Sequence, residues 1–330
     1  MRILVTGGAG YIGSVVSKLL LERGHEVVVL DNLSTGHAAA VPPGAKLVRV
    51  DLRERAAVKA LLRALEPEAV MHFAANIQVG ESVRRPLKYL GDNVRNTLHV
   101  LEAMLGAGVR RFVFSSTAAI FAPSQQPLRE DAPIGPESPY GESKYLVERI
   151  LCWLGELAGL RYASLRYFNA AGAWQGLGED HHPETHLIPR VLRVALGQAP
   201  KVQIYGQNYP TPDGTCVRDY VHVYDLAEAH LLALTALDGG SRAYNVGSGR
   251  GFSVREVIEV ARRVTGHPLP VEICPPRPGD APWLVADPGR IRRELGWSPR
   301  YSELEQIVSS AWEWHRAHPH GYSEEKDQGE

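Results

Sequence analysis

The sequence has few cysteines and no long apolar run. Its 330 residues include only three cysteines, Cys152, Cys216 and Cys274, which lie far apart and form no Cys-x-x-Cys pair. This scarcity argues against a disulfide framework and against a zinc knuckle. No apolar stretch is long enough to span a bilayer, and a strand pattern starts at Arg2, which leaves no room for a signal peptide. We therefore expect a cytoplasmic protein.

The sequence also lacks an excess of either charge. It has 36 Lys and Arg residues against 37 Asp and Glu residues, and the basic residues are scattered along the chain. Because nucleic-acid surfaces are clusters of basic residues, we expect no nucleic-acid partner. The chain is long enough for one large α/β domain or two smaller ones, and the composition suits an enzyme that acts on small molecules.

Apolar and helical segments alternate through the first half of the chain. The predicted strands are Ile3–Thr6, Val27–Asp31, Leu47–Asp51, Ala69–Ala74, Phe112–Ser116 and Tyr162–Tyr167. The predicted helices between them are Tyr11–Arg23, Arg53–Leu65, Glu81–Ala107 and Ser138–Leu157. Several strands are nearly continuous apolar runs, which is typical of strands covered on both faces. The alternation predicts an α/β fold with a doubly wound parallel sheet, that is, a Rossmann fold.

The pattern changes after Asn169. Loops rich in Gly, Pro, His and Asp predict a smaller C-terminal lobe that binds substrate above the carboxyl ends of the strands. We predict a dinucleotide-binding domain over residues 1–168 and the lobe over residues 169–330, with residues 221–247 returning to the main sheet. Residues 315–330 are polar and charged, which predicts a disordered tail.

A glycine-rich turn joins the first predicted strand to the first helix. Gly8, Gly10 and Gly13 fit the dinucleotide fingerprint, and Gly7, Gly10 and Gly13 fit a Gly-x-x-Gly-x-x-Gly spacing. Glycine allows the tight turn and the approach of a pyrophosphate to the helix N-terminus. Asp31, at the end of the next strand, suits the adenosine ribose hydroxyls and would repel a 2′-phosphate, so NAD is favoured over NADP. A further carboxylate, Asp51, closes the third predicted strand and suits a position beside the adenine.

Tyr140 and Lys144 lie four residues apart in a predicted helix. Ser138 is a good N-cap and Pro139 suits the first helical position, so the two side chains share one helix face. A phenol loses its proton near pH ~10, and a nearby ammonium lowers that pKa. Such a pair can take a proton from a sugar hydroxyl. Alone the pattern is weak, because surface tyrosines and lysines at this spacing are common.

Ser115, Ser116 and Thr117 end a predicted strand on the ligand side of the sheet. A hydroxyl at this place can bond the substrate oxygen whose proton Tyr140 takes. The alternative is that these residues only end a strand and begin a turn, as Ser and Thr often do. The glycine turn and the tyrosine–lysine helix together favour the catalytic interpretation.

These segments resemble those of the extended short-chain dehydrogenases/reductases, and within them the UDP-glucose 4-epimerases. The resemblance runs from the first strand to about Pro299. It is carried by Thr6–Gly13, Asp31–Ser34, His72–Ala75, Asp92–Val94, Ser115–Thr117, Tyr140–Lys144, Leu165–Asn169, Val217–Val223 and Arg277–Asp287. The segments around Arg218 and Arg277 are specific to fewer families, and they indicate nucleotide-sugar epimerases.

The resemblance implies a cycle that interconverts UDP-glucose and UDP-galactose through a transient 4-keto sugar. In this cycle Tyr140 acts as base on the sugar 4-hydroxyl, Thr117 positions that hydroxyl, and Lys144 holds the nicotinamide ribose and lowers the pKa of the tyrosine. A hydride passes to bound NAD and returns to the other face of the ketone. The resemblance also suggests a homodimer formed through the predicted helices Glu81–Ala107 and Ser138–Leu157.

Two sets of binding residues follow from the same resemblance. The NAD set is Gly7, Gly10, Tyr11, Ile12, Gly13, Asp31, Asn32, Ser34, Asp51, Leu52, Phe73, Ala74, Ala75, Asn93, Ser115, Tyr140, Lys144 and Tyr167. The substrate set is Thr117, Tyr140, Asn169, His186, Leu187, Tyr205, Arg218, Arg277, Asp280 and Leu284, with Asn93 also near the UDP part. Two arginines suit a diphosphate, and a phenol ring suits stacking on uracil. From the residues alone, Arg218 could instead pair with Asp219, and Arg277 could be an exposed loop charge.

Three positions depart from the family pattern. Ile77 stands where some members have a lysine near the cofactor, and His186 where some have an asparagine beside the sugar. Leu284 lies where a tyrosine restricts some members to sugars without an N-acetyl group. We therefore expect UDP-glucose and UDP-galactose as the main pair, with some tolerance of UDP-N-acetylhexosamines.

The sequence leaves other functions on the same fold to be considered. Epimerisation of UDP-glucuronate or a UDP-pentose differs mainly at the C5 substituent. A nucleotide-sugar dehydratase or decarboxylase is disfavoured, because Ala118 and Ala119 follow Thr117 and cannot transfer protons. A non-enzymatic NAD-binding sensor is disfavoured by the retained tyrosine–lysine pair.

Three histidines, His181, His182 and His186, form a candidate metal-binding group. Pro183 interrupts their helical spacing, and no carboxylate or cysteine completes a defined set by sequence pattern. We therefore expect no metal.

Overall fold

A computed structural model describes residues 1–277 and 280–322 of the chain. Its strands are β1 (Arg2–Thr6), β2 (Glu26–Asp31), β3 (Lys46–Arg49), β4 (Ala69–His72), β5 (Arg111–Thr117), β6 (Arg161–Tyr167), β7 (Asn169–Ala171), β8 (Val202–Tyr205), β9 (Val217–His222), β10 (Arg242–Val246), β11 (Gly251–Ser253), β12 (Val271–Cys274) and β13 (Trp283–Leu284). Its helices are α1 (Tyr11–Glu22), α2 (Arg55–Leu65), α3 (Val79–Arg84), α4 (Pro86–Gly106), α5 (Pro139–Ala158), α6 (Leu187–Ala195), α7 (Val223–Thr235), α8 (Val254–Thr265), α9 (Gly289–Leu295) and α10 (Leu304–Ala317).

A seven-stranded parallel sheet forms the centre of the protein, with the strand order β10-β6-β5-β4-β1-β2-β3. Its inner strands are buried on both faces, which explains their continuous apolar sequences. Helices α1 and α7 pack on one face, and α2, α4 and α5 pack on the other. The predicted doubly wound α/β fold is therefore confirmed.

The chain after Asn169 leaves this sheet and later returns to it. It returns at β10, which pairs in parallel with β6 at the edge of the sheet. The remaining part contains a small sheet of β7, β9, β11 and β13, the β8–β12 pair, and a core shared by α6, α8 and α10. Because β7 begins directly beyond the carboxyl end of β6 and pairs with β9, this part lies over the edge where ligands of such sheets bind.

Two predicted segments differ from the structure. The single helix predicted over Glu81–Ala107 is two helices, α3 and α4, separated at Arg85. Pro86 explains the break, because it lacks an N–H and disfavours helical geometry in the preceding residue. The tail predicted to be disordered is ordered as far as Tyr322, whose backbone N–H donates to Asp180 Oδ2 at 3.0 Å. The rest of that tail, residues 323–330, lies outside the described residues.

None of the helices within the described ranges is both long enough and apolar enough to cross a membrane.

Candidate active site

The turn between β1 and α1 can be built only with glycine at its key positions. Gly7 has a φ of 73°, and a Cβ atom there would lie 2.5 Å from the backbone N of Ala74. A Cβ atom on Gly13 would lie 2.2 Å from the carbonyl oxygen of Gly7. The three glycines at positions 7, 10 and 13 therefore close the turn tightly against the start of the loop after β4.

Helix α1 begins at this turn with its N-terminal N–H groups free for a ligand. Within the described chain, no side chain caps the helix at Gly10, and its first turn carries no acidic residue. The N–H groups of Tyr11, Ile12 and Gly13 have no partner within the helix, since an α-helix leaves its first N–H groups unbonded. An uncapped helix N-terminus behind a glycine turn is a site for a phosphate group.

Two carboxylates, Asp31 and Asp51, lie at the carboxyl ends of β2 and β3. Asp31 accepts hydrogen bonds from the backbone N–H groups of Ala9, at 3.1 Å, and Leu33, at 2.9 Å, and burial raises the pKa of its carboxyl group. Asp51 lies just beyond β3 and forms an ion pair with Arg53, at 2.7 Å, which holds the pKa of Asp51 well below its usual range. Asp31 is thus next to the phosphate-binding turn, whereas Asp51 is already neutralised by an arginine.

The other residues of the predicted NAD set line the same edge of the sheet. Asn32 donates to Asp51 Oδ2 at 2.9 Å and accepts from the N–H of Ser34 at 3.0 Å. Asn93 binds the loop after β4, since its Oδ1 accepts from Asn76 N at 2.8 Å. Leu52 is buried, and its carbonyl oxygen lies 2.8 Å from His99 Nδ1. Phe73, Ala74 and Ala75 are half-buried and follow β4 beside Gly7.

The start of α5 brings the predicted catalytic residues to the end of β5. Ser138 caps the helix, because its Oγ accepts from Gly141 N at 3.1 Å, and Pro139 occupies the first turn as predicted. A Cβ atom on Gly141 would lie 2.2 Å from the carbonyl oxygen of Ala119, so the helix packs directly on the turn after β5. Tyr140 is consequently buried beside Thr117.

Lys144 is buried one helical turn after Tyr140. Its Nζ donates to the carbonyl oxygen of Ser115 at 2.7 Å and lies 4.9 Å from the ring centroid of Phe114. Burial lowers the pKa of Lys144 to about 7, while the carboxylate of Glu148 opposes this shift. The lysine is therefore held at the end of β5 with a pKa close to neutrality.

The pKa of the Tyr140 phenol differs from the value expected from the sequence. Burial raises its pKa, and the Thr117 hydroxyl, which can hydrogen-bond to the phenolate, opposes the shift. Lys144 does not lower this pKa as expected, and its nitrogen donates to the backbone carbonyl of Ser115 instead. In the protein alone, the stabilising contact of the phenolate is therefore the threonine.

Several supporting residues escaped the sequence analysis. Glu148, one turn after Lys144, forms a buried ion pair with Arg166 at 2.6 Å. Ser143 accepts a hydrogen bond from Asn93 Nδ2 at 3.0 Å and donates to the carbonyl oxygen of Tyr140 at 2.7 Å. Glu148 has a signal in the sequence, because its spacing from Lys144 places both on one helix face, whereas its partner Arg166 lies on β6 and has none. The serine has no such signal, because its partner lies on a different helix.

The residues predicted to bind UDP meet on the other side of the cleft. Arg218, on β9, lies 3.7 Å from Asp280 Oδ1 and donates to the carbonyl oxygen of Ala281 at 2.7 Å. Asp219 faces away from it and accepts hydrogen bonds from Ser248 and Gly249. The alternative pairing of Arg218 with Asp219 is therefore wrong, as expected for adjacent residues of a strand, which point to opposite faces.

Tyr205 and Arg277 also come together. The guanidinium carbon of Arg277 lies 3.9 Å from the ring centroid of Tyr205, and the Tyr205 hydroxyl donates to Gln203 Oε1 at 2.7 Å. Arg277 is thus in an exposed loop but is stacked on an aromatic ring. A base that stacks on Tyr205 must use the opposite face of the ring or displace the arginine.

The remaining predicted substrate residues lie between these groups. Asn169 donates to the carbonyl oxygen of Asp219 at 2.9 Å. Leu284 pairs in register with Arg218 and packs on the cluster that contains Ala118 and Phe121, so it links the arginine side of the cleft to the turn after Thr117. Leu187 is the first residue of α6 and His186 directly precedes it, whereas Ile77 is exposed.

The premise that no carboxylate joins the histidines is wrong. Ligand atoms of Glu179, His181, Glu184 and His186 all lie within 4.8 Å of one another, so carboxylates do join two of the three histidines. The neighbouring His182 is not part of this group and has a side chain that is 68% exposed.

A parallel sheet with an uncapped glycine turn and a buried Ser/Thr–Tyr–Lys group at the strand ends defines the class of dinucleotide-dependent enzymes that act on hydroxyl and keto groups. Comparison with known families agrees, since the profile of the NAD dependent epimerase/dehydratase family matches residues 3–247. The chain belongs to this family.

The chain is also similar to proteins of one particular activity. It is 51% identical to a UDP-glucose 4-epimerase of Halalkalibacterium halodurans, with 98% of each chain covered. It is 53% identical to a UDP-glucose 4-epimerase of Streptomyces lividans, again with 98% of each covered. A crystal structure of UDP-glucose 4-epimerase from Bifidobacterium longum in complex with NAD+ and UDP superimposes with a TM-score of 0.92 at 36% identity, covering 98% of this chain and 100% of that one. The family resemblance read from the motifs is thus confirmed.

Proposed function

We propose that this protein interconverts UDP-glucose and UDP-galactose by inverting the sugar at C4, with NAD as its resident cofactor. The observation that carries the proposal is the buried meeting of Tyr140 with Thr117, next to Lys144, at the ligand edge of the sheet. The relatives named UDP-glucose 4-epimerase, which match nearly the whole chain, support the choice of reaction.

The residues around the glycine turn fit NAD. The uncapped N-terminus of α1 would hold the pyrophosphate, and Asp31 would hold the adenosine ribose. A side chain at Gly7 or Gly13 would collide with backbone, so the turn stays open to a phosphate only with glycine. When bound, NAD accepts a hydride from the sugar C4 and returns it. The buried Lys144 at the end of β5 would bind the nicotinamide ribose.

The chain's own residues handle the proton. Tyr140 removes it from the 4-hydroxyl as the hydride leaves, and returns it to the same oxygen when the ketone is reduced. Thr117 donates or accepts a hydrogen bond at that oxygen. Lys144, with a pKa of about 7 in the protein alone, supplies positive charge one turn away, and Glu148 favours its charged form.

The polar side of the cleft would hold UDP while the sugar turns. Arg218 and Arg277 suit the diphosphate, and Asp280 suits the uridine ribose. Anchoring by UDP leaves the hexose free to present either face of C4 to the cofactor. Leu284, which separates these groups from the turn after Thr117, borders the space for the sugar and would set the tolerance for N-acetyl groups.

The alternative reactions are not favoured. A dehydratase needs an acid and a base next to the strand-end threonine, and here Ala118 and Ala119 occupy those places. The backbone of Ala119 is also committed, since its N–H donates to Thr117 Oγ1 at 3.1 Å.

The proposal is tested by following UDP-galactose with the purified protein, without added cofactor, and separating the nucleotide sugars. We expect conversion to UDP-glucose. The variant Tyr140→Phe should be slower by roughly 10²–10⁴-fold, the loss expected when a positioned base is removed. Tyr145→Phe, on the same helix, is the matched control and should keep the rate. Equal rates for wild type and Tyr140→Phe would show that the tyrosine is not the base.

We also infer a homodimer. The helix α5 carries an apolar stripe, Leu146, Ile150, Trp153 and Leu157, in which the Trp153 and Leu157 side chains are 55% and 78% exposed. On α4, Leu87 and Leu98 are exposed as well. Apolar side chains at helical spacing on two adjacent helices form a surface that a second copy could cover. The cytoplasmic location stays a prediction, which fractionation of cells that express the chain would check.

A further inference from the structure

A compact group of two histidines and two glutamates lies outside the proposed catalytic centre. His186 Nδ1 is 2.7 Å from Glu179 Oε1 and 2.9 Å from Glu184 Oε1, and His181 Nδ1 is 3.1 Å from the same oxygen of Glu179. The two imidazoles therefore direct the same kind of nitrogen toward the same two carboxylate groups. This is the convergence of ligand atoms that a bound cation requires.

The two carboxylates of this group are almost inaccessible to water. The side chains of Glu179 and Glu184 are 5% and 1% exposed. Two buried carboxylates need positive charge, because an unpaired buried charge is costly. Throughout the described ranges, the ion pairs of Glu179 and Glu184 are formed with His181 and His186, and not with lysine or arginine.

The spacing matches the coordination shell of a small divalent metal. Bonds of about 2.0–2.2 Å from zinc to histidine nitrogen and carboxylate oxygen place tetrahedral ligand atoms about 3.3–3.6 Å apart. The distances between the ligand atoms of the four residues begin at 2.7 Å and stay within 4.8 Å, so they bracket that value. For hydrogen bonding alone to explain the group, the one Nδ1–H of His186 must be shared between two carboxylate oxygens, at 2.7 and 2.9 Å.

We propose that Glu179, His181, Glu184 and His186 bind one divalent transition-metal ion, and that Zn²⁺ fits this ligand set best. Two imidazoles and two carboxylates make four ligands, which is the coordination number of structural zinc sites. The ligands come from one short segment between β7 and α6, so the ion would fix the shape of that segment.

The position of the site gives it a structural role beside the cofactor and substrate groups. The ring of His181 lies edge-on to that of Tyr11, at 6.5 Å between centroids, and the Tyr11 hydroxyl donates to the carbonyl oxygen of Gly172 at 2.6 Å. His186 directly precedes α6, whose first residue is Leu187. The metal would therefore hold the N-terminus of α6 against the first turn of α1. Ligation through Nδ1 would leave Nε2 of His186 available to a substrate hydroxyl.

The test measures metal binding rather than turnover. Full-length protein without a histidine tag is stripped with a chelator and titrated with CoCl₂, and metal content after growth with zinc is measured by mass spectrometry. We expect about one ion per chain and the visible absorption of four-coordinate Co²⁺. Glu184→Gln should weaken Co²⁺ binding by more than the roughly 10–100-fold that loss of an outer-shell partner costs.

The control is His182→Gln, next to the group but exposed, which should bind Co²⁺ like wild type. Wild-type protein that takes up no zinc and gives no four-coordinate Co²⁺ spectrum would overturn the proposal, whatever the variants do. Equal affinities of Glu184→Gln and His182→Gln would overturn it too. None of these readouts depends on epimerase activity, so failure here leaves the proposed function untouched.

Discussion

His72 shows how single residues support the cleft without touching a ligand. This buried imidazole bridges two elements, with Nδ1 at 2.7 Å from Thr6 Oγ1 and Nε2 at 2.9 Å from Thr97 Oγ1. Burial, and to a smaller extent Lys144, lowers the pKa of His72 to about 3. The ring is therefore neutral in the folded protein, and it joins β1 and α4 directly beneath the glycine turn.

This buried histidine makes the free energy of unfolding depend on pH. Between pH 6.5 and about 3 the unfolded chain holds a proton on His72 that the folded chain does not. The free energy of unfolding should thus fall as pH decreases through this window. In His72→Asn the slope should be shallower by about 1.4 kcal/mol per pH unit, the contribution of one proton. Denaturant unfolding at several pH values measures it, and identical slopes for the two proteins would contradict the assignment.

The two elements that carry most of the predicted chemistry are also the ones that the sequence predicts best. The β1–α1 turn and the start of α5 depend on local rules, namely glycine spacing, a serine cap and a first-turn proline, and these rules can be read from neighbouring residues. The break before Pro86 follows a local rule as well, which the apolar pattern across Glu81–Ala107 obscured. By contrast, the contact of Ser143 with Asn93 joins two helices, and no local pattern encodes it.

The glycine turn gives a prediction for a whole element. In Gly13→Ala the added methyl would lie 2.2 Å from the Gly7 carbonyl oxygen, so the turn must open. We expect a loss of about 1–3 kcal/mol of stability, the usual cost of overpacking, together with reduced NAD content of the purified protein. Cofactor content by absorbance after denaturation, and unfolding by denaturant, measure the two effects.

Gly106→Ala is the matched control for this variant. This glycine lies at the end of α4, and a Cβ atom there meets no atom within 4 Å. Alanine should be neutral or stabilising by up to about 1 kcal/mol at such a helical position. Full NAD content in Gly13→Ala would show that the turn does not need its glycine spacing to hold the cofactor.

At the scale of the whole molecule, long-range pairing limits what sequence alone can show. Arg218 lies on β9 and Asp280 in the loop before β13. Only the fold decides that Arg218 faces Asp280 rather than its neighbour Asp219. Glu179 and Glu184 are close to the histidines in sequence, but their convergence on the two imidazoles depends on the path of one loop. The family resemblance identified the residues of the cleft, but it gave no account of the carboxylates around His181 and His186.

The proposed homodimer is a prediction at this scale. In the double variant Leu146→Glu/Trp153→Glu, association would bury unpaired carboxylates, so we expect a shift from two chains to one by analytical ultracentrifugation. Ile273→Glu is the control, because this residue is a comparably exposed apolar side chain on β12, at 42%, away from α4 and α5. A wild-type protein that sediments as a single chain would refute the dimer.

Strand β9 has a consequence for how this protein can evolve. Arg218 and Asp219 are consecutive residues that face opposite ways: one toward the nucleotide side of the cleft, the other into a set of backbone N–H groups from Ser248, Gly249 and Ala286. A shift of this strand by one position would exchange the two roles and disable both. Substitutions at Leu284, which pairs with Arg218 from the neighbouring strand, can therefore change which nucleotide sugar is recognised. The register of β9 itself must be kept.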